Sequence, residues 1–105
     1  MFERVVIFIT AGSGEEARQI ASALVGERLA ACVNIVPGVH SVYRWAGKVE
    51  EGQEALLIVK SRHEILEQLI TRVRELHSYE VPEIIALPLL AGDAAYLHWL
   101  DEQVG

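Results

Sequence analysis

The side chains in this 105-residue chain with the chemistry to hold a ligand fall into three groups. The first is His77 with Cys32, the soft-metal donors, since imidazole and thiolate suit Cu(I) or Zn. His77 closes an apolar-periodic stretch, at the negative end of a helix where the dipole favours positive charge. It reads either as a metal ligand lining a cleft or as a C-terminal helix cap. Cys32 lies among Ala30, Ala31, Val33 and Ile35, apolar surroundings that favour an inert buried residue over a reactive one. The second group is Trp45, Lys60, Tyr79 and Glu83, placed together in a cleft. There Lys60 and Tyr79 would take an anionic ligand and Glu83 a cation, or else the four form a subunit-interface network with Lys60 paired to Glu83. The third is Glu50, Glu51 and Glu54, which offer oxygens to a hard divalent ion, although such charge runs are ordinarily solvated turns. His40, His63 and His98 fit solvated or capping positions. No C-x-x-C, H-x-x-x-H or H-E-x-x-H spacing occurs anywhere, so no motif supports a closed metal site.

Two amphipathic helices must position these groups. The first opens at Ser13, whose hydroxyl caps it while Glu16 reaches back. Ala17, Ile20, Ala21, Leu24, Val25 and Leu29 then recur at helical spacing, with Gly26 weakening the end. The second repeats the device with Ser61 and Glu64, and its apolar stripe is Ile65, Leu66, Leu69, Ile70, Val73 and Leu76. A third, shorter helix starts at Gly92-Asp93 and turns Tyr96, Leu97 and Leu100 inward. Val5–Thr10 is a nearly unbroken apolar run, the mark of a strand buried on both faces. Ala31–Val36 and Val39–Trp45 form one long strand with a bend or bulge at Pro37-Gly38. After a turn at Gly47, a return strand runs from about Gln53 to Lys60. Glu83–Leu90 is the last strand, and Pro88 places its end at a sheet edge.

The order β-α-β-β-α-β plus a C-terminal helix is the split βαβ, or ferredoxin-like, pattern of an α+β fold, and 1–105 makes a single domain. The hairpin is long for that domain. From Val33 to Trp45 it would span roughly 43 Å at about 3.3 Å per residue, against a radius of gyration of about 13 Å for a domain this size. An overhang exposes Val39, Tyr43 and Trp45 and open strand edges unless another subunit covers them. A homo-oligomer is therefore expected, the alternative being a sharp bend at Pro37-Gly38 that keeps the hairpin on its own subunit.

Composition removes several function classes. The net charge of −6 argues against nucleic acid, whose phosphates need a clustered basic surface. No apolar run reaches the roughly 18 residues of a membrane span, and the opening residues lack the basic and small-residue pattern of a signal peptide. A single cysteine suits a reducing compartment, so a cytoplasmic location is expected.

Four ordered motifs carry a family resemblance across nearly the whole chain. Leu29-Ala30-Ala31-Cys32-Val33-Asn34-Ile35-Val36-Pro37 resembles the "LAACVNIIP" signature of CutA proteins. Ser41-Val42-Tyr43-Arg44-Trp45 with Gly47-Lys48 is similar to "SIYRWxGK", His77–Glu83 to "HPYEVPE", and Tyr96–Leu100 to "YLxWL". The resemblance implies a ferredoxin-like domain in a homotrimer built by inter-subunit strand pairing. It also implies an association with tolerance to copper and other divalent cations, likeness to the trimeric PII signalling proteins, and no established catalysis. A divalent metal would then be weakly bound and not essential. Copper sites in the family use a first-strand thiol and adjacent histidines. Those positions carry Ile9 and Leu76 here, only His77 remains, and Ser78 stands in place of the usual proline. One donor of three implies copper binding no tighter than about micromolar. Two rivals stand beside the trimeric binding module. A scaffolding trimer is one. An acylphosphatase-type enzyme is the other, sharing the fold, with Gly12-Ser13-Gly14 at a helix start able to hold an anion. That loop has no arginine, and Ser13 is better read as a cap.

Overall fold

Residues 3–105 are described by a computed structural model. Its β1 (Arg4–Ala11) is driven by the β-branched and aromatic run Val5-Val6-Ile7-Phe8-Ile9. Val5, Ile7, Ile9 and Ala11 are sealed in the main core with residues of the first two helices, whereas Val6 and Phe8 are only half-buried. The expectation of burial on both faces is therefore met on one face alone, because the helices that seal the core cover only that side.

Helix α1 (Gly14–Gly26) begins as its capping signal requires. Ser13 Oγ accepts the Glu16 N–H at 3.1 Å, but the Glu16 carboxylate reaches past the cap and accepts the Gly12 N–H at 3.1 Å. Ala17, Ile20, Ala21 and Leu24 form the buried stripe. Val25 is 44% exposed, since a helix turns about 100° per residue and Val25 falls off the face that Leu24 occupies. Gly26 is the last helical residue, where its flexibility costs least.

Strands β2 (Cys32–Trp45) and β3 (Lys48–Arg62) make the long hairpin. Ala46 and Gly47 both have positive φ, 51° and 80°, the signature of a two-residue type I′ turn that matches strand twist. Val36 pairs with Leu56 and Val39 with Glu54, so Pro37 and Gly38 oppose Ala55 alone: the expected bulge, with Gly38 at φ 67°. The return strand begins at Lys48 rather than near Gln53. The run Val49-Glu50-Glu51-Gly52-Gln53-Glu54 has weak strand propensity, and it is held straight by pairing with β2 up to Trp45↔Lys48.

The second helix starts differently from the expectation. Ser61 is not its cap: it lies inside β3, fully buried, and its hydroxyl donates to the Leu29 carbonyl at 2.6 Å. A 3-10 turn at His63–Ile65 leads instead into α2 (Leu66–Leu76), with Leu69 and Val73 as its buried centre. β3 outlasts the predicted Lys60 because β1 pairs with it down to Arg4↔Arg62. β4 is short (Ile84–Pro88), pairs with β1 and forms one edge of the sheet. α3 (Ala94–Gln103) is capped by Asp93, whose side chain accepts the Tyr96 N–H at 3.0 Å. Leu100 is buried as expected, but Tyr96 is 42% exposed.

The antiparallel sheet has the order β2-β3-β1-β4, with α1 and α2 on one face. By register, Val6, Phe8, Leu56, Ile58, Ile85 and Leu87 stand on the other. α3 is pinned at the end of that face by Asp101, which accepts from Arg4 at 2.9 and 2.7 Å and also from Arg62. The molecule measures 44 × 25 × 23 Å, elongated for its size.

Candidate functional site

The site is assembled where α2 ends. His77 caps the helix through its backbone, donating N–H to the Val73 carbonyl at 2.9 Å. The chain then turns extended and the imidazole folds beneath it, 8% exposed. Nε2 lies 2.7 Å from the Thr10 carbonyl oxygen and Nδ1 accepts the Tyr79 N–H at 3.0 Å. A nitrogen that accepts carries no proton, so the arrangement selects the neutral tautomer protonated at Nε2. Both ring nitrogens are thus engaged within the chain.

Glu16 completes this knot. Its carboxylate accepts from Ser78 N at 2.7 Å and Gly12 N at 3.1 Å, and lies 3.8 Å from His77 Nδ1. Burial pushes its pKa up, but the hydrogen bonds from Ser78 and Gly12 outweigh it and hold the carboxyl below its ordinary value. The knot delivers Tyr79. Its ring leans on His77 with centroids 4.7 Å apart, and its hydroxyl donates to Glu54 Oε2 at 2.9 Å. Burial first, then the Glu54 carboxylate, pushes the Tyr79 phenol up to about 12, so it stays a donor. Gly12 packs close beside it: a Cβ there would sit 3.3 Å from the Tyr79 hydroxyl, so the ring would have to give by a few tenths of an ångström.

β1 pairs with β3 only as far as Ala11↔Ala55. Beyond that point a cavity of about 570 Å³ opens between the hairpin and the segment 79–83. Ser41, Tyr43 and Trp45, alternate residues on one side of β2, form one wall together with Val42. Glu54 and Thr10 form the floor, and Tyr79, Glu80, Val81 and Glu83 the other wall.

Of the residues singled out in sequence, Trp45, Tyr79 and Glu83 line this cavity together. Lys60 does not. It is paired in register with Cys32 and Val6 and donates to the Asn34 side chain, so its expected pairing with Glu83 does not form. Cys32 is half-buried beside it rather than sunk in the core. His77 lies on Thr10, four residues along β1 from Val6 and about 13 Å away, so thiol and imidazole are not brought together. Glu50, Glu51 and Glu54 also diverge. Glu51 takes His40 Nε2 at 2.7 Å, while Glu54 takes Tyr79. Among the described residues no group of three His, Cys, Asp or Glu side chains is placed to hold a metal ion. Sequence reasoning missed Thr10, Ser41, Val42, Glu80 and Val81 as cavity residues. The period-2 alternation outward from the Gly47 turn is the signal that places Ser41 beside Tyr43 and Trp45.

Residues 5–103 match the family described as CutA1 divalent ion tolerance protein. The chain belongs to the CutA1 divalent ion tolerance family. It is 57% identical over 100 residues to the divalent-cation tolerance protein CutA of Thermus thermophilus, covering 95% of this chain and 97% of that one. The chloroplastic CutA protein of Arabidopsis thaliana is 49% identical over 91% of this chain, which spans about half (53%) of that longer protein. Among solved structures, the T. thermophilus protein superposes with a TM-score of 0.95 at 56% identity, covering 97% of this chain and 99% of that one. The Oryza sativa CutA1 structure gives 0.96 at 43% identity, covering 99% and 95%. The CutA motifs fall on recognisable parts of the structure: the first on the bulged start of β2, the second on the hairpin tip and its turn, and the third, His77–Glu83, on the segment that supplies Tyr79, Glu80, Val81 and Glu83 to the cavity wall.

Proposed function

We propose that this chain acts as a non-enzymatic, cytoplasmic homotrimer in divalent-cation tolerance, a ferredoxin-like CutA module that takes a metal ion or small ligand at a cleft between subunits. The observation that carries the reading is the uncovered apolar surface. Val42, Trp45 and Val49 on the hairpin are 61%, 57% and 63% exposed, and Ile85 and Leu87 on the helix-free sheet face 52% and 50%. Exposed apolar groups of this number on one small chain are the mark of an interface. The β2 outer edge adds a long row of open backbone groups that invites strand pairing. In this reading the cavity between hairpin and segment 79–83 becomes the inter-subunit cleft, with Trp45, Tyr79 and Glu83 facing the ligand. His77 shapes the cleft through Tyr79, and copper binds no tighter than about micromolar because the soft donors stand apart.

Multi-angle light scattering at micromolar concentration tests the assembly, with a mass three times the 11.6 kDa chain expected and a monomeric mass sinking the proposal. Calorimetric titration with copper tests the site; stoichiometric binding at nanomolar affinity would overturn it.

A further inference from the structure

The lining of the cavity has a one-sided chemistry. It contains three carboxylates, Glu54, Glu80 and Glu83, and three aromatic rings, Tyr43, Trp45 and Tyr79, with no lysine, arginine or histidine. Within this chain's share of the cleft an anionic ligand finds no countercharge, and the cation expected for one, Lys60, is held elsewhere by Asn34. The chain's negative charge, −6 overall, adds to the same bias. A small hard metal ion fits poorly too, because such an ion needs six or more oxygens drawn to one point at about 2.1–2.6 Å. The three carboxylates are spread around the cavity, and no three acidic groups among the described residues converge. One of them, Glu54, is already fixed by the Tyr79 hydroxyl. The space is also far larger than an ion requires, about 570 Å³.

We infer that the cavity takes an extended organic polycation of the linear polyamine class. Separated ammonium groups along such a chain meet separated carboxylates, while the methylene segments between them lie on the aromatic rings. Ammonium groups over the faces of Trp and Tyr gain the attraction of the ring quadrupole. Tyr79 contributes as a ring and as a donor that stays protonated, orienting Glu54 without neutralising it. This inference rests on the proposal that the cavity is a ligand cleft, and it names the class of ligand.

The test is calorimetric titration of the 105-residue chain with spermidine, magnesium chloride and citrate in turn. Spermidine is expected to saturate, and magnesium and citrate to give no saturable heat. Glu80→Gln with Glu83→Gln, both on exposed positions, should weaken spermidine by about tenfold or more, as should Trp45→Ala. Glu67→Gln, an equal change of charge per site on the far face of α2, should change it less than twofold. Absence of saturable spermidine binding, or an equal loss in Glu67→Gln, overturns the inference. If magnesium or citrate saturates instead and is lost in Trp45→Ala, the polyamine class fails while the cleft reading stands. If none of the three binds, both fail.

Discussion

At the scale of single residues, the functional weight rests on how His77 spends its two nitrogens. A histidine at a helix end is ordinarily free to titrate or ligate, but here one nitrogen lies on the Thr10 carbonyl and the other accepts from Tyr79. His77→Phe leaves a carbonyl and an N–H unpaired in a buried site, which costs about 2–3 kcal/mol. Thermal unfolding should show that loss, while divalent-metal affinity stays within about twofold of the parent; a large loss of affinity without destabilisation would make His77 a ligand after all. Glu16 sets a pH dependence. Its folded pKa lies below its ordinary 4.5 because Ser78 and Gly12 donate to the ionised form, despite the opposing push of burial. A depressed carboxylate stabilises above its unfolded pKa, and that contribution is lost as pH falls through the folded value. Unfolding between pH 6 and pH 3 should therefore show the parent losing stability below about 4.5, and Glu16→Gln starting about 1–2 kcal/mol lower at neutral pH with a flatter acid limb. Identical acid limbs would remove Glu16 from the account.

At the scale of elements, the hairpin decides most of what the sheet can do, and its turn is open to improvement. Ala46 sits at φ 51°, a left-handed conformation that costs an alanine about 1 kcal/mol, ahead of Gly47 at 80°. Asparagine is favoured at that place in a type I′ turn, so Ala46→Asn should stabilise by about 0.5–1 kcal/mol, read as a higher denaturant midpoint at unchanged slope. A lower midpoint would mean that the turn conformation is set by something other than its own two residues. This region also shows what the sequence could and could not convey. The Pro37-Gly38 bulge, the Gly47 turn and the Ser13 and Asp93 caps were legible because each is fixed by local chemistry: a missing donor, a positive φ, a short polar side chain at a helix start. Ser61 was misread for the same reason. Its Ser-x-x-Glu spacing is a valid cap signal, but long-range pairing of β3 with β1 carries the strand through it and gives its hydroxyl to Leu29. The site was half legible. Trp45, Tyr79 and Glu83 stood out by type, whereas Glu54 and Thr10 join them only through the register of strands distant in sequence, and Lys60 is removed by the same register.

At the scale of the whole molecule, β1 poses the remaining question. Its run Val5–Thr10 is apolar at every position but the last, the composition of a strand covered twice, yet the chain's own helices cover it once. The second face presents Val6, Phe8, Leu56 and Ile58 half-buried, flanked by Ile85 and Leu87, and α3 closes only its Arg4–Arg62 end through Asp101. Burying such a face is worth about 25 cal/mol for each Å² removed from water, so in the proposed assembly a second copy laid on it would add to the stability of the chain's own core. Phe8 is the residue to change, since it stands in the middle of the sheet between Ile58 and Ile85. Phe8→Asp places a carboxylate at the centre of the proposed contact, where desolvation without a partner costs several kcal/mol, enough to abolish association at micromolar concentration. Light scattering should then give the mass of one chain, with circular dichroism in the cold confirming that the monomer keeps its fold. Val25→Asp, on the exposed flank of α1, serves as the matched control and should leave the mass unchanged. If Phe8→Asp remains an assembly of full mass, the helix-free face is not where the subunits meet, and the apolar character of β1 must be explained within the single chain.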